Sequence, residues 1–219
     1  MGTRGAIGFR YKGLDRVTYN HSDSYPSGLG MKAYETVVKF NDEQIAGAAA
    51  RVHMVEQTEI PSAELQARYS NHFNPNVSTG SMDEWYSLLR DVQGDLDVII
   101  DGTVDHMIDG ARFLLDSLFC EWAYILNADT RKLEIYTGFN QFHDATGRYA
   151  RYSAHDLQGE YWGVALLCEI EFDLIRRPRS GSLMTDIEQI VRECSEEDLT
   201  PGPPVAVLLD SLRRPLQEV

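Results

Sequence analysis

The chain predicts an α+β domain with a mainly antiparallel sheet and helices packed on its faces. Strand-like segments gather near residues 3 to 21 and again from 119 to 174, instead of alternating with helices as a parallel βαβ sheet requires. Between them, apolar residues recur at helical spacing behind capping residues. The 219 residues are 43% hydrophobic and 25% charged, close to globular averages and long enough for a sizeable core.

The first element is a hairpin, with strands over 3 to 12 and 15 to 21 around Gly13-Leu14, where the glycine accepts positive φ. Pro26, Gly28 and Gly30 break it, and Met31, Tyr34, Val37 and Val38 then mark a helix over about 30 to 40. Asn41 and Gln44 predict a reciprocal cap on a second helix whose buried face is Ile45, Ala49 and Val52. A loop over 74 to 80 leads to Ser81 and Glu84, read as a capping box for a third helix carrying Trp85, Leu88, Leu89 and Val92. Residues 119 to 126 and 133 to 137 flank a turn at Asn127-Ala-Asp-Thr-Arg-Lys132; the first is apolar at nearly every position and so expects burial on both faces. A strand over about 162 to 174 alternates Cys168, Ile170, Phe172 and Leu174 with Glu169, Glu171 and Asp173, which gives its second half one wet face. Met184, Ile187, Ile190 and Val191 predict a last amphipathic helix, and Pro and Gly at 201 to 204 precede a short apolar tail. The expected organisation is one core domain over 1 to 178 and a C-terminal helical extension over 179 to 219, docked on the core or on a partner.

Twenty Lys and Arg stand against 34 Asp and Glu, a net charge of −14 that repels phosphate backbones and argues against nucleic-acid binding. The same charge suits a basic protein partner, including one that itself binds DNA, or simply keeps the surface soluble. Cys120, Cys168 and Cys194 are odd in number and widely spaced, which expects buried thiols in a reducing compartment and excludes a CxxC site. With no apolar run near 18 residues and no signal segment, a cytoplasmic protein without a membrane span is expected. Asp91, Asp95, Asp97, Asp101, Asp105, His106 and Asp109 crowd one stretch without the spacing of a calcium loop, so they read as a solvated acidic loop and not as a metal site.

The candidate chemistry lies at the N-terminus. Thr3 and Arg4 open the first strand, and Tyr19-Asn-His-Ser-Asp-Ser-Tyr-Pro26 closes the second. Alternation places His21 and Asp23 on one face, as a base with its carboxylate or as two metal ligands; the plain alternative is a turn in which Asp23 or Ser24 caps backbone amides before Pro26. His143-Asp144 and His155-Asp156 flank Tyr149 and Tyr152 in a stretch that suits either a mobile loop at a site or plain surface.

The segments Met1-Gly-Thr-Arg4 and Tyr19-Asn-His-Ser-Asp-Ser24 resemble the layout of N-terminal nucleophile hydrolases. In the choloylglycine and penicillin V acylase branch the chain opens Met-Cys-Thr and the second strand ends in Asn-x-Asp. Residues 3 to 8 and 19 to 26 are also similar to small proteins of phage and bacterial genomes that open Thr-Arg-x-x-Ile-Gly and continue Tyr-x-His-x-Asp-x-Tyr-Pro, a family with no activity to transfer. The hydrolase resemblance implies an αββα sandwich and an amide-cleaving enzyme without a cofactor. Thr3 would be its nucleophile, with Arg4, Asn20, His21 and Asp23 around it and Tyr19, Ser24 and Tyr25 holding a small or peptide substrate. Asn127 and Asn140 are candidates, by chain position, for the branch's later asparagine. The chemistry requires Thr3 to be the first residue of the mature chain, where its α-amine can take the hydroxyl proton. Met1 and Gly2 precede it here; were Gly2 an addition, methionine removal would expose Thr3. The expected alternative is a non-catalytic acidic interaction or inhibitor protein, linked to phage.

Overall fold

The computed structural model describes residues 2–152, 161–177 and 189. The extension over 179 to 219, its helix, and His155-Asp156 lie outside them, apart from Gln189. Two strands, β1 (Gly5–Tyr11) and β2 (Leu14–Asn20), form the expected hairpin. Its turn residues are Lys12 and Gly13, both at positive φ (51° and 73°), the twist that two-residue hairpins favour. The Asp129 carboxylate accepts both turn amides, Lys12 N at 2.7 Å and Gly13 N at 2.9 Å.

A single turn over Pro26–Gly30 leads into α1 (Met31–Lys39), and α2 (Asp42–Arg51) follows at once. Asn41 and Gln44 make the reciprocal cap that the spacing predicts: the Asn41 side chain accepts Gln44 N at 2.9 Å, and the Gln44 side chain accepts Asn41 N at 3.0 Å. Then come β3 (His53–Val55), α3 (Ala63–Tyr69), α4 (Trp85–Leu88), α5 (Asp97–Ile100) and β4 (His106–Ile108). The main sheet is completed by β5 (Trp122–Asn127), β6 (Lys132–Thr137) and β7 (Ala165–Glu171), with a final turn of helix α6 (Phe172–Ile175).

The five-stranded sheet runs β2-β1-β5-β6-β7. Three of its neighbour pairings are antiparallel and one, β1 with β5, is parallel. That parallel pair exists because everything from α1 to β4 is inserted as one long crossover. Side chains alternate across the sheet as the pleat demands. Ile7, Phe9, Tyr124, Leu126 and Ile135 point to the face covered by α1, α2 and α6, whereas Ala6, Val17, Ala123, Ile125 and Tyr136 point to a second, smaller core with Leu114, Tyr149 and Val164. Every residue of β5 is buried, as its unbroken apolar run predicts. Cys120 and Cys168 are buried thiols. Among the described residues no helix is long and apolar enough to cross a membrane.

The described strands build this one sheet and a separate parallel pair, β3 with β4, so the two stacked sheets of an αββα sandwich are not formed by them. The third helix is also shorter than its periodicity predicts: α4 covers four residues and the chain then tightens to a 3₁₀ turn over Arg90–Val92. Instead of reaching back to Ser81, the Glu84 carboxylate accepts from Ser78 Oγ (2.6 Å), Thr79 Oγ1 (2.9 Å) and Ser87 Oγ (2.7 Å). Burial would raise its pKa, but these bonds outweigh that and hold it at about 2.

Candidate functional site

A half-open cleft lies on the helical face of the sheet at the β2 edge. Its floor is apolar, with Leu89, Leu96, Ile99 and Met107 among the side chains, and its polar groups are Thr18 from β2, Tyr86 from α4, Gln93, Gly94 and Asp95 from the following turn, and His106 from β4. The mix of an apolar wall with a few converging polar groups is what small-molecule sites present. Gly94 sits at φ 78°, and a Cβ there would lie 2.6 Å from Asn20 Oδ1, so the wall closes directly onto the loop after β2.

His106 is the chemically distinctive member. Parallel pairing of β4 with β3 sets its ring 5.2 Å from that of His53, and the Trp85 ring lies nearly parallel to it, centroids 5.3 Å apart. Its Nδ1 is 2.6 Å from Asp105 Oδ1 and 2.9 Å from the Tyr69 hydroxyl. Tyr69 Oη also donates to Asp105 Oδ1 at 2.5 Å, and Arg68 NH1 reaches Asp105 Oδ2 at 3.0 Å. Arg68 and Tyr69 come from the last turn of α3, which explains how residues so distant in sequence meet.

Burial disfavours the Asp105 carboxylate, but the hydrogen bonds from Tyr69, Arg68 and His106 prevail and hold its pKa at about 2. Burial, joined by the Asp105 hydrogen bond, pushes Tyr69 up to about 12, so it stays a neutral donor. His106 is lowered from its ordinary value, chiefly by burial, with His53 and Arg68 adding to this against the pull of Asp105. At neutral pH the trio is therefore a carboxylate, a phenol and a neutral imidazole. An ionised carboxylate accepts only, so Nδ1 carries the hydrogen and Nε2 keeps the lone pair. Nε2 makes no hydrogen bond among the described residues. Asp105 thus belongs to a half-buried hydrogen-bond network and not to the solvated acidic loop that its neighbours suggest. Asp97 departs from that reading too: its carboxylate accepts from Thr36 Oγ1 at 2.7 Å and Lys39 Nζ at 2.8 Å.

The N-terminal residues are brought together, but mainly to hold one another. Thr3 O accepts Ser24 N at 3.1 Å, Tyr124 Oη donates to Ser24 O at 3.0 Å, and Asn20 Nδ2 donates to Ser24 Oγ at 2.8 Å and to the Ser22 carbonyl. Asn20 and Ser24 are buried; Thr3, Arg4, Tyr19 and Tyr25 are half-buried; His21 and Asp23 are exposed. β2 ends at Asn20 and Asp23 turns to φ 56°, so the alternation that would pair His21 with Asp23 stops before it reaches them. His21 Nδ1 meets the Tyr19 hydroxyl instead, at 2.9 Å. The Arg4 guanidinium lies over Phe119, 4.8 Å from the ring centre. Of the nine residues from Thr3, Arg4 and 19 to 25, none lines the cleft, although Asn20 backs its Gly94 wall. Asn127 and Asn140 are buried turn-holders: Asn127 Oδ1 accepts Asp129 N and Thr130 N, and Asn140 Nδ2 donates to Gly163 O.

Among the described residues no group of three or more His, Cys, Asp or Glu side chains is placed to hold a metal ion. No protein-family model, no curated protein and no solved structure matches the chain. The site stands on its geometry.

Proposed function

We propose that this chain is a hydrolase that cleaves a small ester or amide in the cleft at the β2 edge, with His106 as its general base. The observation that carries the reading is the cleft-lining imidazole whose Nδ1 is fixed by an ionised carboxylate at 2.6 Å, leaving a basic Nε2. Nε2 takes a proton from water as the water oxygen attacks the carbonyl carbon, and the imidazolium, stabilised by Asp105, returns that proton to the leaving group. The Gln93 side-chain amide and the Gly94 N–H donate no hydrogen bond among the described residues, so two donors on the cleft wall remain for the developing oxyanion. This retains the amide-hydrolase class that the N-terminal resemblance implies while moving the catalytic centre from Thr3 to His106.

Hydrolysis of p-nitrophenyl acetate and of acetyl p-nitroanilide tests it. The wild-type rate rises with pH and levels above the lowered His106 pKa, His106→Gln loses roughly 10²–10⁴-fold, the range for a general base, and Thr3→Ala keeps the rate. Equal rates for wild type and His106→Gln overturn the assignment, and loss in Thr3→Ala alone returns the chemistry to the N-terminus. The net charge of −14 favours a second reading, a non-catalytic protein for a basic partner, which expects no turnover of either substrate.

A further inference from the structure

Nine large apolar side chains stand exposed among the described residues, and five of them gather at one place: Leu118, Phe119, Phe139, Phe142 and Tyr152, each between 38% and 62% exposed. The other four, Leu14, Val38, Ile60 and Leu174, lie in four different parts of the chain. The five belong to a cluster of loops at the end of the sheet where β5 begins and β6 ends, tied together through the buried Ser117 and Asn140. Phe139 N donates to Ser117 O at 2.7 Å, and Asn140 N to Ser117 Oγ at 3.0 Å. Trp162 N donates to Asn140 O at 2.8 Å, Asn140 Nδ2 to Gly163 O at 2.9 Å, and Gly163 N to Tyr152 O at 2.6 Å. Segments distant in sequence are thereby neighbours.

The patch is also held in place. Phe139 sits at φ 54°, a left-handed conformation that bulky side chains rarely take, and its bond to Ser117 keeps it there. The Arg4 guanidinium lies 4.8 Å from the centre of the Phe119 ring, and Tyr161 meets Phe139 edge-on with centroids 6.5 Å apart. Apolar side chains exposed together on a folded domain mark an interaction surface. None of the five lines the cleft, so this surface is independent of the site above.

The chain itself carries a segment that suits it. Val205-Ala-Val-Leu-Leu209 is the longest apolar run outside the described residues, with Leu212 beyond it and Arg213-Arg214 next. Val205 follows Arg177, where the continuous described chain ends, by 28 positions. Even at the 1.5 Å per residue of a helix, that connection spans about 40 Å, roughly the width of a domain of ~170 residues. The run therefore reaches the patch without leaving its own molecule, and the tether supplies a high effective concentration. A second copy lacks that gain and brings a further net charge of −14. The arginine pair suits the acidic residues beside the patch, Asp116 and Asp144, each two positions from a patch side chain.

We propose that this aromatic patch is the docking site of residues 205–212 of the same chain.

The test uses the full chain with labelled Leu and Val methyls and protonated aromatic rings, read by NMR. NOEs run from the methyls of Val205, Val207, Leu208 and Leu209 to the Phe139 and Phe142 rings, and dilution leaves them unchanged. Leu208→Asp with Leu209→Asp removes them and shifts the Leu118 methyls, while the buried Val17 and Leu126 methyls stay put and show that the fold is intact. Absence of these NOEs, or Leu118 methyls that ignore the two substitutions, overturns the proposal. Ring contacts that are intermolecular in a mixture of differently labelled chains overturn it as well, and make a second copy the occupant. Contacts from Leu157 alone overturn it in favour of residues 153–160.

Discussion

Replacing Asp105 with Asn tests the central network through stability, without needing a substrate. The carboxylate accepts from Arg68, Tyr69 and His106, and its pKa falls from 3.8 to about 2 on folding. At about 1.4 kcal/mol per unit of pKa the depression corresponds to roughly 2.5 kcal/mol; with the side chain 28% exposed, solvent screening reduces this to about 1–2 kcal/mol. Because the folded value is depressed, the contribution is fully present above pH 3.8 and is lost as pH falls through about 2. Asp105→Asn is therefore less stable than wild type by about 1–2 kcal/mol at neutral pH, or about 2–8 °C in Tm for a domain of this size. The difference shrinks as pH is lowered toward 2. The variant also removes the carboxylate that draws the His106 pKa upward, so the His106 titration moves to still lower pH. Urea unfolding of both proteins over the acid range, with the His106 ring resonances followed by NMR, reads both effects. A stability gap that is absent at neutral pH or constant across the acid limb, or a His106 titration that stays put, refutes the argument.

Two further expectations address the scaffold. Arg148→Met strands the buried Glu134, whose carboxylate Arg148 NH2 meets at 2.6 Å, and costs about 3–5 kcal/mol by denaturant titration; a double variant with Glu134→Gln recovers a large part of it. Gly5→Ala places a Cβ 2.3 Å from the Trp122 carbonyl and 2.6 Å from Ser24 Cβ, which forces β1 from β5 and from the loop after β2. The loss is about 1–3 kcal/mol in thermal unfolding, and unchanged stability there would contradict the close approach.

Local chemistry made much of the scaffold legible. The hairpin, α1, the Asn41–Gln44 cap and the β5–β6 turn follow from turn residues, periodicity and capping groups that act over a few positions, so their neighbours in sequence suffice. Where competing partners come from elsewhere, local signals lose. Glu84 has a capping-box spacing with Ser81, yet Ser78, Thr79 and Ser87 claim its carboxylate and the helix stops after one turn. β3 and β4 have three residues each, too few for alternation to register, and a parallel pair carries no turn signal between its strands.

The α+β class, the mainly antiparallel sheet and the doubly buried central strand were determined by the sequence itself, because each rests on the period of its apolar residues. The candidate site was decided by tertiary structure. Asp105 and His106 sit side by side in the chain among other acidic residues, and nothing there separates them from a wet loop. They become an oriented base only when β4 pairs with β3, α3 delivers Tyr69 and Arg68, and Trp85 covers the imidazole. Burial and a fixed hydrogen-bond partner set the charge state of a group, and both are properties of residues far apart in sequence.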